Sequence, residues 1–233
     1  MDTKKHSIFI TGGTGYLGRP LIAELVRRGH EVRALVREGS ESKLPAGCQA
    51  VQGNALDGSS YRASISPADV FIQLVGVPHP NPSKAAQFRN VDLASATGAV
   101  KAAVEAGIQH FVYLSVAHPA PVMKAYVDVR TAGETMIRES GMNATILRPW
   151  YILGPGHRWP YALLPMYWFL ELLPPTRAGA RRLGLVTLEQ MTHALVGAVE
   201  SPSRGVRIVE VPEIRHSRGF SVAGAGHPIA SSR

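Results

Sequence analysis

Between residues 10 and 20 the chain reads "ITGGTGYLGRP". Four glycines, at 12, 13, 15 and 18, separate a short apolar strand, "SIFIT" (7–11), from "RPLIAELVRRGH" (19–30). The second segment reads as a helix: Leu17, Leu21 and Leu25, with Ile22 and Val26, recur at helical spacing, Pro20 lies near the first turn, and Gly29 is a stop signal. Glycine is costly in regular structure, so this clustering marks a sharp bend or a close approach to the backbone. Gly12, Gly15 and Gly18 have the spacing GxxGxxG between strand and helix. A tight turn, an approaching pyrophosphate and close helix–strand packing each call for a glycine there. The helix N-terminus adds free N–H groups and the positive end of its dipole. A dinucleotide is the expected ligand, held in the turn by Gly12, Thr14, Gly15, Tyr16, Leu17 and Gly18.

Outward from the turn, strands and helices alternate. "EVRALV" (31–36) and the weaker "CQAVQG" (48–53) read as strands, and "DVFIQLVG" (69–76) is a continuous apolar run of the buried type. A long helix is predicted from about Lys84 to Ala106, ended by Gly107. "HFVYLS" (110–115) is the next strand and "VDVRTAGETMIRESG" (127–141) the next helix; "NATILRP" (143–149) and "GVRIVEV" (205–211) are later strands. The rhythm predicts an α/β fold, a doubly wound parallel sheet of Rossmann type. It sets a dinucleotide-binding domain at 1–154, a small substrate-side subdomain with a returning strand at 155–212, and a surface tail at 213–233 rich in Ser, Gly, Arg and His.

Composition narrows the function classes. With 233 residues, 45% hydrophobic and 18% charged, the chain has the make-up of a globular domain with one substantial core. No leader pattern opens it and no apolar run reaches the ~18–20 residues of a spanning helix. The single cysteine, Cys48, cannot form an intramolecular disulfide, so a cytoplasmic location is expected. The nine histidines lack metal-ligand spacing, so no metal is expected. The formal charge of +8 is spread over basic faces with no nucleic-acid-binding motif to organise it, so no nucleic-acid partner is expected.

"ITGGTGYLG", "VRALVR", "GNALD", "VKAAVEAGIQHFVYLS", "YVDVRTAGETMIRESGMNATILRP" and "ILGPG" together resemble an atypical short-chain dehydrogenase/reductase, of the NmrA-like and complex I accessory-subunit-like NAD(P)-binding group, over about residues 6–212. In that family an acid at the end of the second strand favours NAD and an arginine favours NADP. This chain has both, Arg37 and Glu38; the resemblance favours NADP through Arg37, with NAD as the alternative through Glu38. Asn54, with Ala55 beside it, stands where relatives carry an aspartate facing adenine, and Val75 and Gly76 close the strand that lines the cofactor. Catalysis in the family uses a Ser and a YxxxK pair; here the matching residues are Ser115, Tyr126 and Arg130, the arginine replacing the lysine that anchors the ribose. Asn90 matches a helix asparagine that organises the site, and Arg148 and Pro149 end a core strand.

"RWPYALLPMYWFLELLPPTRAGARR" (158–182) is the most apolar stretch, followed by arginines. It reads as a lid over an apolar pocket or as core; residues 159–173 also have the composition of a helix docking on a membrane surface or protein partner. Two functions stay open: an NAD(P)-dependent oxidoreductase acting on a small, largely apolar carbonyl or related substrate, and a non-catalytic NAD(P)-binding sensor or assembly protein.

Overall fold

The computed structural model describes residues 4–155 and 174–217. The strands are β1 (Ser7–Thr11), β2 (Glu31–Val36), β3 (Cys48–Gln52), β4 (Val70–Gln73), β5 (His110–Leu114), β6 (Ala144–Arg148), β7 (Tyr151–Leu153), β8 (Leu185–Thr187) and β9 (Val206–Glu210). Seven of them form one sheet in the order β3-β2-β1-β4-β5-β6-β9, and every pairing in it is parallel. Ile8 pairs with Val32 on one side and with Val70 on the other, so the strand order reverses at β1. In open parallel sheets ligands bind beyond the carboxyl ends of the strands at such a reversal.

Parallel strands buried on both faces call for apolar side chains, which is why β1 and β4 read as the apolar runs Ile8–Ile10 and Val70–Ile72, while the buried polar side chains at their carboxyl ends, Thr11 and Gln73, hydrogen-bond to each other. Their alternate residues feed two cores. Ile8, Ile10, Val70, Ile72 and Val112 point to an aliphatic core, where they meet Leu21, Ile22 and Leu25 of helix α1 (Gly18–Arg27). Phe9, Phe71 and Phe111 point to the other face and stack in series, with centroid separations of 5.4 Å and 5.2 Å.

The second face carries the long helix predicted from Lys84. It forms in three pieces: α2 (Ala85–Gln87), a π turn (Phe88–Leu93) and α3 (Ala94–Glu105). The wide turn buries both Phe88 and Asp92. Helix α4 (Lys124–Glu139) follows β5.

Beyond β6 the fold departs from the sequence reading. β7 and β8 form a separate two-stranded parallel sheet that was not expected, each strand being only three residues long. After α5 (Pro174–Arg182), helix α6 (Leu188–Glu200) buries Met191, Leu195 and Val199 in the same aliphatic core as α1, so 188–200 packs with the main body. Helix α7 (Val211–His216) crosses the 212/213 boundary and fully buries Ile214, so residues 213–216 are part of the packed fold and not of a surface tail. The stretch 159–173, read as a lid or docking helix, lies outside the described residues. Among the described residues no helix is long and apolar enough to cross a membrane.

Candidate functional site

The glycine turn joins β1 to α1 at the reversal point. Gly12 has φ +80°, and a Cβ there would stand 2.9 Å from the carbonyl carbon of Leu74. At Gly18 a Cβ would fall 2.3 Å from the Gly12 carbonyl oxygen, so this glycine lets the helix touch the turn. Gly15 differs: a Cβ would meet only the Gly12 oxygen, at 3.2 Å, and the residue is exposed. Two of the three spaced glycines serve packing; the third keeps the outer face of the turn bare. Leu17 precedes α1 without a side-chain cap, its own side chain buried in the aliphatic core, and no acid occupies the first helical turn. In that first turn Arg19 N–H donates to the Gly15 carbonyl and Leu21 N–H to the Leu17 carbonyl, each at 3.2 Å, and Pro20 carries no N–H, so a phosphate would be met by the Gly18 amide and the turn before it. Thr14 is half-buried, and Tyr16 is 37% exposed.

The neighbouring strand ends carry the residues that the resemblance assigns to the adenine side. Arg37 and Glu38 lie exposed just beyond β2, in a turn closed by the Ser40 amide on the Arg37 carbonyl at 3.0 Å. Asn54 Oδ1 accepts from the Leu56 amide at 3.0 Å, leaving one oxygen lone pair for a further donor. Ala55 packs at the edge of the aromatic core.

Ser115, just past β5, is buried and donates to Glu134 Oε1 at 2.6 Å. Glu134, on α4, is fully buried and also accepts from Arg148 Nε at 2.8 Å and from Arg138 at 3.0 Å. Burial alone would raise its carboxyl, but the hydrogen bonds from Arg148 and Ser115 pull it below the usual range. Arg148 reaches on to Glu210 at the end of β9, at 2.9 Å. Tyr126, on the same face of α4, lies against Phe88 with ring centroids 5.0 Å apart. Ser115, Tyr126 and Tyr16 line one cleft of about 520 Å³ together with His79, Trp150 and Tyr151.

Arg130 is where the expectation needs correction. It lies four residues beyond Tyr126, but it is 3% exposed and does not line the cleft. Its guanidinium donates to Asp92 Oδ1 at 2.6 Å, to the Leu114 carbonyl at 2.8 Å and to the Val75 carbonyl at 3.4 Å. It also lies over the Tyr126 ring, 5.2 Å from the centroid. The ribose-anchoring donor implied by the resemblance is thus held by an internal carboxylate. Gly76 permits this: a Cβ there would fall 2.2 Å from the guanidinium and 3.0 Å from Asp92. Burial pushes the Asp92 carboxyl up, against the pull of Arg130 and of the Val77 amide.

Asn90, expected to organise the site, is exposed; Asp92, two residues on, is the inward-facing residue. Neither Asp92 nor Glu134 was assigned a role from the sequence. The signal for Glu134 was its spacing, eight residues after Tyr126 and so on the same helical face. Asp92 had none, because a π turn changes the facing of every residue near it.

Known proteins resemble this chain in sequence and in fold. A family profile described as NAD(P)H-binding matches residues 12–159. The chain is 27% identical over 230 residues to a ceramide reductase of Caulobacter vibrioides, covering 96% of this chain and 71% of that one. It is 29% identical over 227 residues to a 3-diazoavenalumate denitrifying reductase of a Streptomyces species, covering 85% and 73%. The Bordetella bronchiseptica enzyme WbmH, solved in complex with NAD+, shares the fold with a TM-score of 0.66 at 18% identity, over 88% of this chain and 75% of that one. The profile spans more than half of the chain, which therefore belongs to the NAD(P)H-binding family.

Proposed function

We propose that the chain is an NADP-dependent oxidoreductase acting on a small, largely apolar carbonyl compound or the matching alcohol. The observation that carries this reading is the shared cleft: Tyr126 and Ser115 line it with Tyr16 of the glycine turn, and no Lys, Arg, Asp or Glu is among its described lining. An anionic substrate would call for a cation there and a cationic one for a carboxylate. Aromatic and aliphatic walls suit an uncharged one.

A bound nicotinamide dinucleotide supplies or accepts the hydride. The turn at Gly12, Thr14 and Gly15, the backbone from Tyr16 through Leu17 to Gly18, and the backbone at Val75 and Gly76 would hold it, with Asn54 and Ala55 on the adenine side. Arg37, exposed at the end of β2, would pair with a 2′-phosphate; Glu38 beside it is the residue that would accept from a free ribose hydroxyl if NAD were used. Tyr126 exchanges the proton at the substrate oxygen. Ser115 has its proton on Glu134, so as placed it offers lone pairs and steadies a substrate hydroxyl by accepting from it. Arg130 acts as a positioning residue through the stack on Tyr126. With a substrate from a screen of ketones, alcohols, enones and quinones, Tyr126→Phe should lower turnover by ~10²–10⁴. Full activity in that variant would remove Tyr126 from the chemistry.

One observation favours a second reading, a dinucleotide-binding protein without turnover: the residue in the lysine position is engaged by Asp92. A screen in which neither dinucleotide supports turnover of any compound, while both bind, would decide for it.

A further inference from the structure

The Arg130–Asp92 pair invites a question that the fold alone does not answer, namely what an arginine that does not line the cleft does with a buried acid beside it. Both side chains are almost fully buried, 3% and 1% exposed. The π turn delivers Asp92 to its place. There one carboxylate oxygen takes Arg130 at 2.6 Å and the other the Val77 amide at 3.1 Å. The guanidinium in turn holds the Val75 and Leu114 carbonyls. The pair therefore sits beneath the carboxyl ends of β4 and β5, beside Ser115 and Tyr126. With Arg37 and Asn54 at the ends of β2 and β3 on the adenine side, this is the nicotinamide half of the crevice.

Charge at that place acts differently on the two redox forms. The oxidised nicotinamide ring is cationic and the reduced ring is neutral, so a lone cation below the ring weakens binding of the oxidised form selectively. The other charges nearby are also compensated: Glu134 is shared by Arg148 and Arg138, and Arg148 also meets Glu210. We infer that Asp92 neutralises the ground beneath the nicotinamide and thereby sets how evenly this chain binds the oxidised and reduced dinucleotide. The inference rests on the dinucleotide reading above. It gives Asp92 an electrostatic role that a purely structural partner of Arg130 would not have.

The test is the ratio of dissociation constants for NADP+ and NADPH, measured by calorimetry on the full chain. The wild type should bind the two within about threefold. Asp92→Asn leaves Arg130 unmatched and should weaken NADP+ relative to NADPH by roughly tenfold, the scale of one unit charge acting across about 10 Å at an effective dielectric near 20. The double variant Asp92→Asn/Arg130→Gln restores neutrality and should bring the ratio back to that of the wild type. General damage to the site would weaken both forms alike and leave the ratio unmoved, and an unmoved ratio in folded Asp92→Asn overturns the inference. If that variant fails to fold, the wild type still decides: a preference for NADPH above tenfold contradicts a neutral site. Failure of both dinucleotides to bind the wild type would instead defeat the cofactor reading, and this inference with it.

Discussion

Lowering the pH from 7 to 5 should weaken the fold by about 2 kcal/mol through one imidazole. His110 opens β5 at the edge of the sheet opposite the glycine turn and is 1% exposed. Its Nε2 lies 3.1 Å from Thr145 Oγ1, while Nδ1 is buried with no hydrogen-bond partner among the described residues. Burial first, and the nearby His6 second, push its pKa down from 6.5 to about 4. A group with a depressed folded-state value binds its proton more readily in the unfolded chain. Its contribution is therefore whole above about 6.5 and is lost as pH falls toward 4. The full shift of about 2.5 units corresponds to about 3 kcal/mol, most of which is gone by pH 5. His30, also depressed by burial, acts in the same direction, so the variant His110→Gln isolates one residue: it cannot titrate yet can still reach Thr145. Urea denaturation at pH 7, 6 and 5 is the assay. With a slope of about 2 kcal/mol/M, the wild-type midpoint should fall by roughly 1 M more than that of the variant. Parallel loss in the two proteins would refute the reasoning.

Three further outcomes follow from the site. Gly15→Val should still fold and lose dinucleotide binding by calorimetry, because its side chain projects on the exposed face a pyrophosphate needs and its Cβ meets only the Gly12 oxygen, at 3.2 Å, whereas Gly18→Ala should destabilise the fold itself by ~1–3 kcal/mol, its Cβ being driven into the Gly12 carbonyl. Arg37→Ala should reduce a preference for NADPH over NADH by about tenfold or more, since a charge-assisted contact contributes ~1.5–3 kcal/mol; equal wild-type affinities would make Glu38 the ribose ligand. Glu134→Gln should lower the melting temperature more than Ser115→Ala does, since it leaves Arg148 and Arg138 sharing a neutral buried partner, and the reverse order would show that Glu134 is not ionised.

The fold was legible where local chemistry leaves few choices. Gly12 and Gly18 announce a turn that no other residue could make, and β1, β4 and β5 are apolar at nearly every position because both faces are covered. The cleft residues Ser115 and Tyr126 were also within reach, since a strand end and a helix face are local properties. What escaped was set by distance along the chain. Arg130 finds Asp92 38 residues away, and nothing near either says that they meet. The three-residue strands β7 and β8 are too short for any periodicity to register. The start of α6 is a different case: Thr187 and Gln190 form a capping box, readable in "TLEQ", but the prolines upstream break the strand–helix rhythm that would lead into it.

Arg148 has a consequence for the order in which the protein can be completed. Its guanidinium bridges Glu134, made early, to Glu210, made about seventy residues later, while Arg28 at the end of α1 is tied at 3.0 Å to Glu200 at the end of α6. A chain growing from its N-terminus has all of residues 12–159, the span of the NAD(P)H-binding profile, in place well before β9 emerges, yet β6 still lacks its outer neighbour and Arg148 its second carboxylate. The span matched by the NAD(P)H-binding profile is thus complete while the clasp from Glu134 through Arg148 is still open, and β9 shuts it only when Glu210 arrives.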